Sequence, residues 1–256
     1  MIVFLIVDGL NLIRRVYAAT PPGEPSAHFD SALGATVQSL RRALTELSPT
    51  HAVVVFDGKE PTWRHELYPD YKAGRKPMPQ DLRAGLDRYP EAFSKLGVAS
   101  VSKPGVEADD VVGTLASGVA AHEGRSIILS TDTAFCQLIS ERIAVRDHFQ
   151  KRVLDEGYVR TKFGVKPEEL VDLWALAGSA TTNIPGVPGV GVKTAAKLLG
   201  EHGSLDGLLE AAAGIEGRLG EILRGNAELA RLSRTLARLR TDLDLGWNLK
   251  SFRVAD

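Results

Sequence analysis

Three carboxylates fall within four residues at Glu107-Ala108-Asp109-Asp110, and apolar residues at helical spacing follow at once: Val111, Val112, Leu115 and Val119. That spacing puts the acids in the first turn of a helix. One or two acids there complement the helix macrodipole, for about 0.3–1 kcal/mol each. Three packed together repel one another unless a cation neutralises them. The chemistry on offer is therefore cation binding, provided other parts of the chain aim acids at the same place.

Three other segments do. The apolar run Ile2–Val7 ends at Asp8-Gly9, Ala52–Phe56 ends at Asp57-Gly58, and Ser126–Thr131 ends at Asp132. Each run reads as a buried strand, with Val98–Val101 and Ile143–Arg146 as two more. Helical spacing covers roughly residues 28–47, through Phe29, Leu33, Val37, Leu40 and Leu44, and resumes over roughly 80–96. Apolar strands alternating with helices imply an α/β fold whose parallel sheet is covered on both faces. Such sheets bind ligands beyond the carboxyl ends of their strands. Any single one of these aspartates is accounted for as a turn residue or a helix cap. The convergence of Asp8, Asp57, Glu107, Asp109, Asp110 and Asp132 from four segments favours a divalent-metal site. With no Cys or His among the six, the ligand set points away from zinc and towards magnesium or manganese. A magnesium ion so held typically acts on phosphate esters.

Composition sets bounds. The chain has 256 residues, 44% hydrophobic and 25% charged, enough for a sizeable core. No apolar run approaches the ~20 residues of a membrane span. The N-terminal run lacks a basic flank and breaks at Asp8, so it reads as a strand rather than a signal peptide. Cys136 is the only cysteine, which excludes an intrachain disulfide and fits the cytoplasm; it reads as a buried structural thiol. The net charge of −1 announces no polyanion partner. If six of the 32 acids form a cluster, however, 26 remain against 31 Lys and Arg, leaving an otherwise basic surface.

From about residue 163 the pattern is helical throughout. Its distinctive piece is Ile184-Pro185-Gly186-Val187-Pro188-Gly189-Val190-Gly191-Val192-Lys193-Thr194-Ala195, a tight hairpin opening into a helix. Small residues there let a phosphate backbone approach exposed N–H groups at the helix start, so Gly189, Val190, Gly191, Val192, Lys193 and Thr194 are expected to hold duplex DNA without reading sequence. Helices over roughly 204–213, 215–224 and 226–239 read as scaffold, with Arg231, Arg234, Arg238 and Arg240 as a solvated face. The basic-aromatic stretch from Trp63 to Lys76 follows the rim residue Asp57 directly. Lys72 and Arg75 are expected to act on the scissile phosphate, whereas Trp63 and Tyr68 read as inward-turned aromatics.

Together these motifs resemble the bacterial 5′-nuclease, or flap endonuclease, family over essentially the whole chain. The resemblance is carried by Val7-Asp8-Gly9, Phe56-Asp57, Arg64 through Arg75, Glu107-Ala108-Asp109-Asp110, Ser130-Thr131-Asp132 with Gln137-Leu138, and Asn183-Ile184-Pro185-Gly186 through Ala195. Phe149-Gln150-Lys151-Arg152 and Leu176-Ala177-Gly178 are similar to the stand-alone exonuclease IX type, which has no polymerase domain. The resemblance implies a PIN-like nuclease domain over 1–162, with an arch at about 59–96. It implies a helical part over 163–256, with a helix-hairpin-helix element at about 176–200. It further implies a monomer that cuts DNA carrying 5′ single-stranded flaps with Mg²⁺, and a K⁺ ion on the backbone carbonyls of Leu176, Ala177, Pro185, Val187 and Val190. Arg64 and Tyr71 would meet DNA, Tyr71 by stacking on a frayed base.

One departure stands out. Family members commonly carry three further acids for a second metal, and here those positions are Ala134, Ser179 and Thr182. The exonuclease IX type shows the same loss. The expectation is one tightly held Mg²⁺, with any second ion held through water. The alternative reading is a branched-DNA-binding protein with little or no catalysis.

Overall fold

The computed structural model describes residues 1–254. The first half runs β1 (Val3–Asp8), α1 (Gly9–Ala19), α2 (Pro25–Leu47), β2 (His51–Val55), α3 (Trp63–Leu67), α4 (Gln80–Gly85), α5 (Arg88–Ser94), β3 (Ala99–Val101), α6 (Ala108–Ala121), β4 (Arg125–Leu129), β5 (Ile143–Asp147) and β6 (Arg152–Leu154). The second half is helical: α7 (Glu156–Phe163), α8 (Leu170–Ala177), α9 (Val192–His202), α10 (Leu205–Ala211), α11 (Gly217–Gly225) and α12 (Ala227–Ala237).

The six strands lie in the order β3-β2-β1-β4-β5-β6. The first five are parallel, as apolar strands separated by helices require, and β6 joins antiparallel to β5. That antiparallel edge was not expected. A strand of three residues with two of them exposed carries too little pattern to announce itself.

Alternation along β1 splits the core. Leu5 and Val7 pack with Leu12, Ile13, Phe29, Leu40, Tyr89 and Phe93 on the face covered by α1, α2 and α5. Phe4 and Ile6 pack on the opposite face with Val111, Val112 and Ala116 of α6. The second core continues through Val159, Leu173, Leu198 and Leu223, so the helical half shares its interior with the sheet. The helical signal over 80–96 resolves into two short helices, α4 and α5, with Leu82, Tyr89 and Phe93 fully buried.

Strand order fixes the site. From β1 the chain steps outward to β2 and β3, then crosses back to place β4 on the other side of β1, which opens a crevice at the carboxyl ends of β1 and β4. Asp8 ends β1 and Asp132 follows β4, so both sit at that crevice. The turn from β1 into α1 is tight: a Cβ on Gly9 would lie 2.9 Å from the Val55 carbonyl oxygen and 2.9 Å from Val54 Cγ1. Gly9→Ala should therefore destabilise the protein by about 1–3 kcal/mol, as overpacking does. Urea unfolding followed by circular dichroism measures it.

Candidate active site

Each rim aspartate is held by the backbone it caps. Asp8 Oδ1 accepts from the Asn11 N–H at 3.1 Å, at the start of α1. Asp57 Oδ1 accepts from the Ala108 N–H at 2.9 Å, at the start of α6. Asp132 Oδ1 accepts from the Ala134 N–H at 2.8 Å, at the start of a 3₁₀ turn. The capping role and convergence therefore coexist. Capping takes one oxygen of each side chain and leaves the other without a backbone partner. The second oxygen of Asp8 accepts from the buried Ser130 hydroxyl at 2.9 Å. Asp109, the second residue of α6, has no hydrogen-bond partner among the described residues.

The electrostatics register this crowding. Burial pushes the Asp8 carboxyl up to about 7, opposed by its hydrogen bonds from Asn11 and Ser130 and reinforced by the charges of Asp132 and Asp57. Burial likewise raises Asp109 well above the usual carboxylate range, with Lys72 opposing and Asp132, Asp8 and Asp57 adding to the rise. Four aspartates thus feel one another. Among the described residues no three acidic, His or Cys side chains already stand in ligating positions. Like charges with backbone caps available have no reason to close up without a cation between them. The donor set, carboxylates only and under-neutralised, is the chemistry that fits a hard divalent ion.

Glu107 and Asp110, the other two acids expected to hold the metal, meet cationic side chains of the protein in this structure. Both face Arg64, which is 1% exposed. The Arg64 guanidinium donates to both Asp110 oxygens at 2.8 Å, to Glu107 Oε2 at 2.7 Å, and to the carbonyls of Leu236 at 2.9 Å and Arg238 at 2.8 Å. All five of its N–H groups are used. Asp110 also accepts from Trp63 Nε1 at 3.0 Å and from the Arg240 N–H at 3.0 Å. Its partners hold Asp110 fully buried and leave it no lone pair aimed at the crevice. Glu107 further accepts from Lys72 Nζ at 2.9 Å and from the Tyr71 hydroxyl at 3.2 Å.

The same geometry buries Arg64 and Tyr71, both expected to meet DNA. Arg64 has no donor left, and Tyr71 is 4% exposed, so its ring is unavailable to a base. Lys72 and Arg75 fare differently. Lys72 keeps two donors beyond its bond to Glu107 and is the cation nearest Asp109 in effect. Arg75 is exposed, and its Nε donates to the Thr181 carbonyl at 3.1 Å. That bond, with the Lys72 N–H to the Thr182 carbonyl at 2.9 Å and Asn183 Nδ2 to the Asp70 carbonyl at 2.7 Å, docks residues 70–75 onto the loop after α8.

A cavity of about 420 Å³ opens beside the cluster, lined by Asp109, Asp132, Ala134, Ser179 and Thr182 among others. The three non-acidic positions singled out in the sequence thus face the same space as two of the acids. At the hairpin, Gly178 and Gly186 have φ of +70° and +63° and lie back to back, leaving no room for a Cβ on either. The Leu176 and Val187 carbonyls accept from the Val187 and Val190 N–H groups at 2.7 and 3.0 Å, so each keeps one lone pair. Helix α9 begins at Val192 after Gly191, which supplies no side-chain cap; Gly191, Lys193 and Thr194 are exposed, while Val190 is buried.

The chain matches the family described as 5′-3′ exonuclease, its N-terminal resolvase-like domain over residues 3–164 and its C-terminal SAM fold over 165–256. The chain belongs to the 5′-3′ exonuclease family. It is a nuclease of the flap endonuclease type. A flap endonuclease Xni of Aeromonas salmonicida is 45% identical over 252 residues, covering 97% of this chain and 95% of its own. One from Serratia proteamaculans is 44% identical over 256 residues, covering 99% of each. A mutant of the T5 5′-exonuclease shares the fold with a TM-score of 0.74 at 20% identity, over 93% of this chain and 88% of that one. The catalytic core of Rad2 shares it more distantly, with a TM-score of 0.58 at 17% identity, over 97% and 89%.

Sequence reasoning missed Asn11, whose side-chain carbonyl accepts from both the N–H and the hydroxyl of Thr131 at 3.1 Å and ties α1 to the Asp132 turn. Its position three residues after Asp8 was the available signal. Arg64→Met leaves Asp110 and Glu107 buried without their partner and should cost about 3–5 kcal/mol of stability. Thermal and urea unfolding of the purified variant measure that loss.

Proposed function

We propose that Asp8, Asp57, Asp109 and Asp132 form the divalent-cation centre of this flap endonuclease, with Mg²⁺ as the ion. One observation carries the reading: four carboxylates from four segments meet at the sheet's switch point, and two of them are driven towards protonation for want of positive charge. Mg²⁺ at this point supplies a Lewis acid for the phosphoryl oxygen and lowers the pKa of an attacking water. Lys72 and Arg75 hold the scissile phosphate in this reading, supported by the donors each keeps after docking on Glu107 and Thr181. Glu107 positions Lys72 rather than binding metal.

The substrate is branched DNA with a 5′ flap. The uncapped start of α9 supports the hairpin, from Gly189 to Thr194, as the duplex-backbone site. Carbonyls of Leu176, Ala177, Pro185, Val187 and Val190 are the groups that would take K⁺ there, consistent with the lone pairs kept by Leu176 and Val187. With Ala134, Ser179 and Thr182 lining the cavity, the chain holds no acid for a second ion at those positions, so any second ion depends on water and substrate phosphate. A monomer is part of the same reading. Among the described residues no helix is long and apolar enough to cross a membrane. A cytoplasmic setting is also part of this reading, since a single cysteine, Cys136, allows no intrachain disulfide.

Asp109→Ala should abolish Mg²⁺-dependent cleavage of a fluorescent 5′-flap DNA, and unchanged activity would refute the assignment. The pH dependence follows from Asp8. Its raised pKa means that it carries a proton below about 7 in the metal-free protein, and a cation must displace that proton. Mg²⁺ should therefore raise the melting temperature more at pH 8 than at pH 6, with no such gain in Asp109→Ala. Differential scanning fluorimetry with and without Mg²⁺ reads both.

A further inference from the structure

The end of α12 and the residues that follow it have two sides. Leu236, Ala237 and Leu239 line the cavity that holds Asp109 and Asp132. Arg238 and Arg240 line a separate groove of about 640 Å³, together with Trp63, Arg234, Thr235 and Asp242. Arg238 is extended, so Arg238 and Arg240, two apart, share a face, while Leu239 between them is buried and borders both spaces.

This segment is pinned as a wall. Arg64 donates to the carbonyls of Leu236 and Arg238, and the Arg240 N–H donates to Asp110. Trp63 stands against it, with the Arg64 guanidinium 4.4 Å from its ring centroid and the Arg240 guanidinium also at 4.4 Å. The charges of the groove divide as well. Arg231 pairs with Glu228 at 2.6 Å, and Arg234 pairs with Asp206 at 2.7 Å. Arg238 and Arg240 are exposed and have no carboxylate within ion-pair distance among the described residues. Two rigidly based guanidiniums on an open groove are suited to phosphodiester oxygens.

We propose that the Leu236–Arg240 wall divides branched DNA, with the strand to be cut on its carboxylate side and the phosphodiester backbone of a second arm on Arg238 and Arg240. The proposal rests on the flap endonuclease reading, since it presumes a branched substrate cut at the carboxylates, but the binding of the second arm is independent of metal. It makes the two arginines determinants of substrate structure: an unbranched duplex engages the hairpin alone, and only a branched molecule reaches both sides of the wall.

The test is equilibrium binding by fluorescence anisotropy in EDTA, with a 5′-flap DNA and a linear duplex of the downstream arm, across a salt series. In Arg238→Gln/Arg240→Gln the flap DNA should bind several-fold more weakly, with a log K against log salt slope shallower by about 2, and the linear duplex should bind as before. Arg238→Lys/Arg240→Lys should restore the slope, and Lys193→Gln should weaken both DNAs alike. Flap substrates with and without the upstream strand assign the arm. Equal weakening on linear duplex and flap DNA, or an unchanged flap affinity in a variant that melts like the parent, overturns the proposal. Loss of cleavage without Asp109 would stand or fall separately.

Discussion

A buried guanidinium with every donor occupied is the constraint on which the rest of the molecule depends. Arg64 lies between two acids of the α6 start and two carbonyls at the end of α12, and so ties the segment after β2, the sheet's third crossover and the helical half into one unit. A buried ion pair of this kind repays its desolvation only when geometry is complete, and removal of one partner is costly. The arrangement is bidentate on Asp110, shares Glu107 with Lys72, and leaves no N–H unsatisfied. Its effect on chemistry is indirect: it fixes where α6 begins, and with it the place of Asp109.

The acidic stretch therefore has a division of labour. Glu107 and Asp110 face cations supplied by the protein, and Asp109, turned the other way, is left with neighbours of its own sign. Helical geometry accounts for this. Adjacent residues on a helix point about 100° apart, so Asp109 and Asp110 meet different neighbours. The rim aspartates reach the same crevice by another route, each fixed by a backbone N–H that it caps. Positioning by caps is stiff, local and independent of metal, which lets four acids be held near one another by the fold.

Much of this was legible in the sequence. Apolar strands ending at Asp8, Asp57 and Asp132 gave a parallel sheet and its functional rim, because the strand and the residue beyond it are adjacent in sequence. The opening of α9 at Val192 was equally plain from Gly191 and its neighbours. What was not legible depends on long-range partners. Arg64 reads as a DNA contact in a basic stretch, and only the fold reveals its bonds to residues 172 and 174 positions away. Asp110 is indistinguishable from Asp109 by type or local pattern. Tyr71 is an aromatic in a polar loop until its hydroxyl is seen on Glu107.

The central claim is that the cation sits with Asp8, Asp57, Asp109 and Asp132, and that Arg64 takes the place of metal for Glu107 and Asp110. The direct measurement is anomalous diffraction from crystals of the protein grown with Mn²⁺ and flap DNA. The account predicts an anomalous peak in contact with Asp109 and its rim neighbours, with Arg64 still paired to Asp110. A peak bound directly to Asp110 or Glu107, with Arg64 displaced, would contradict it.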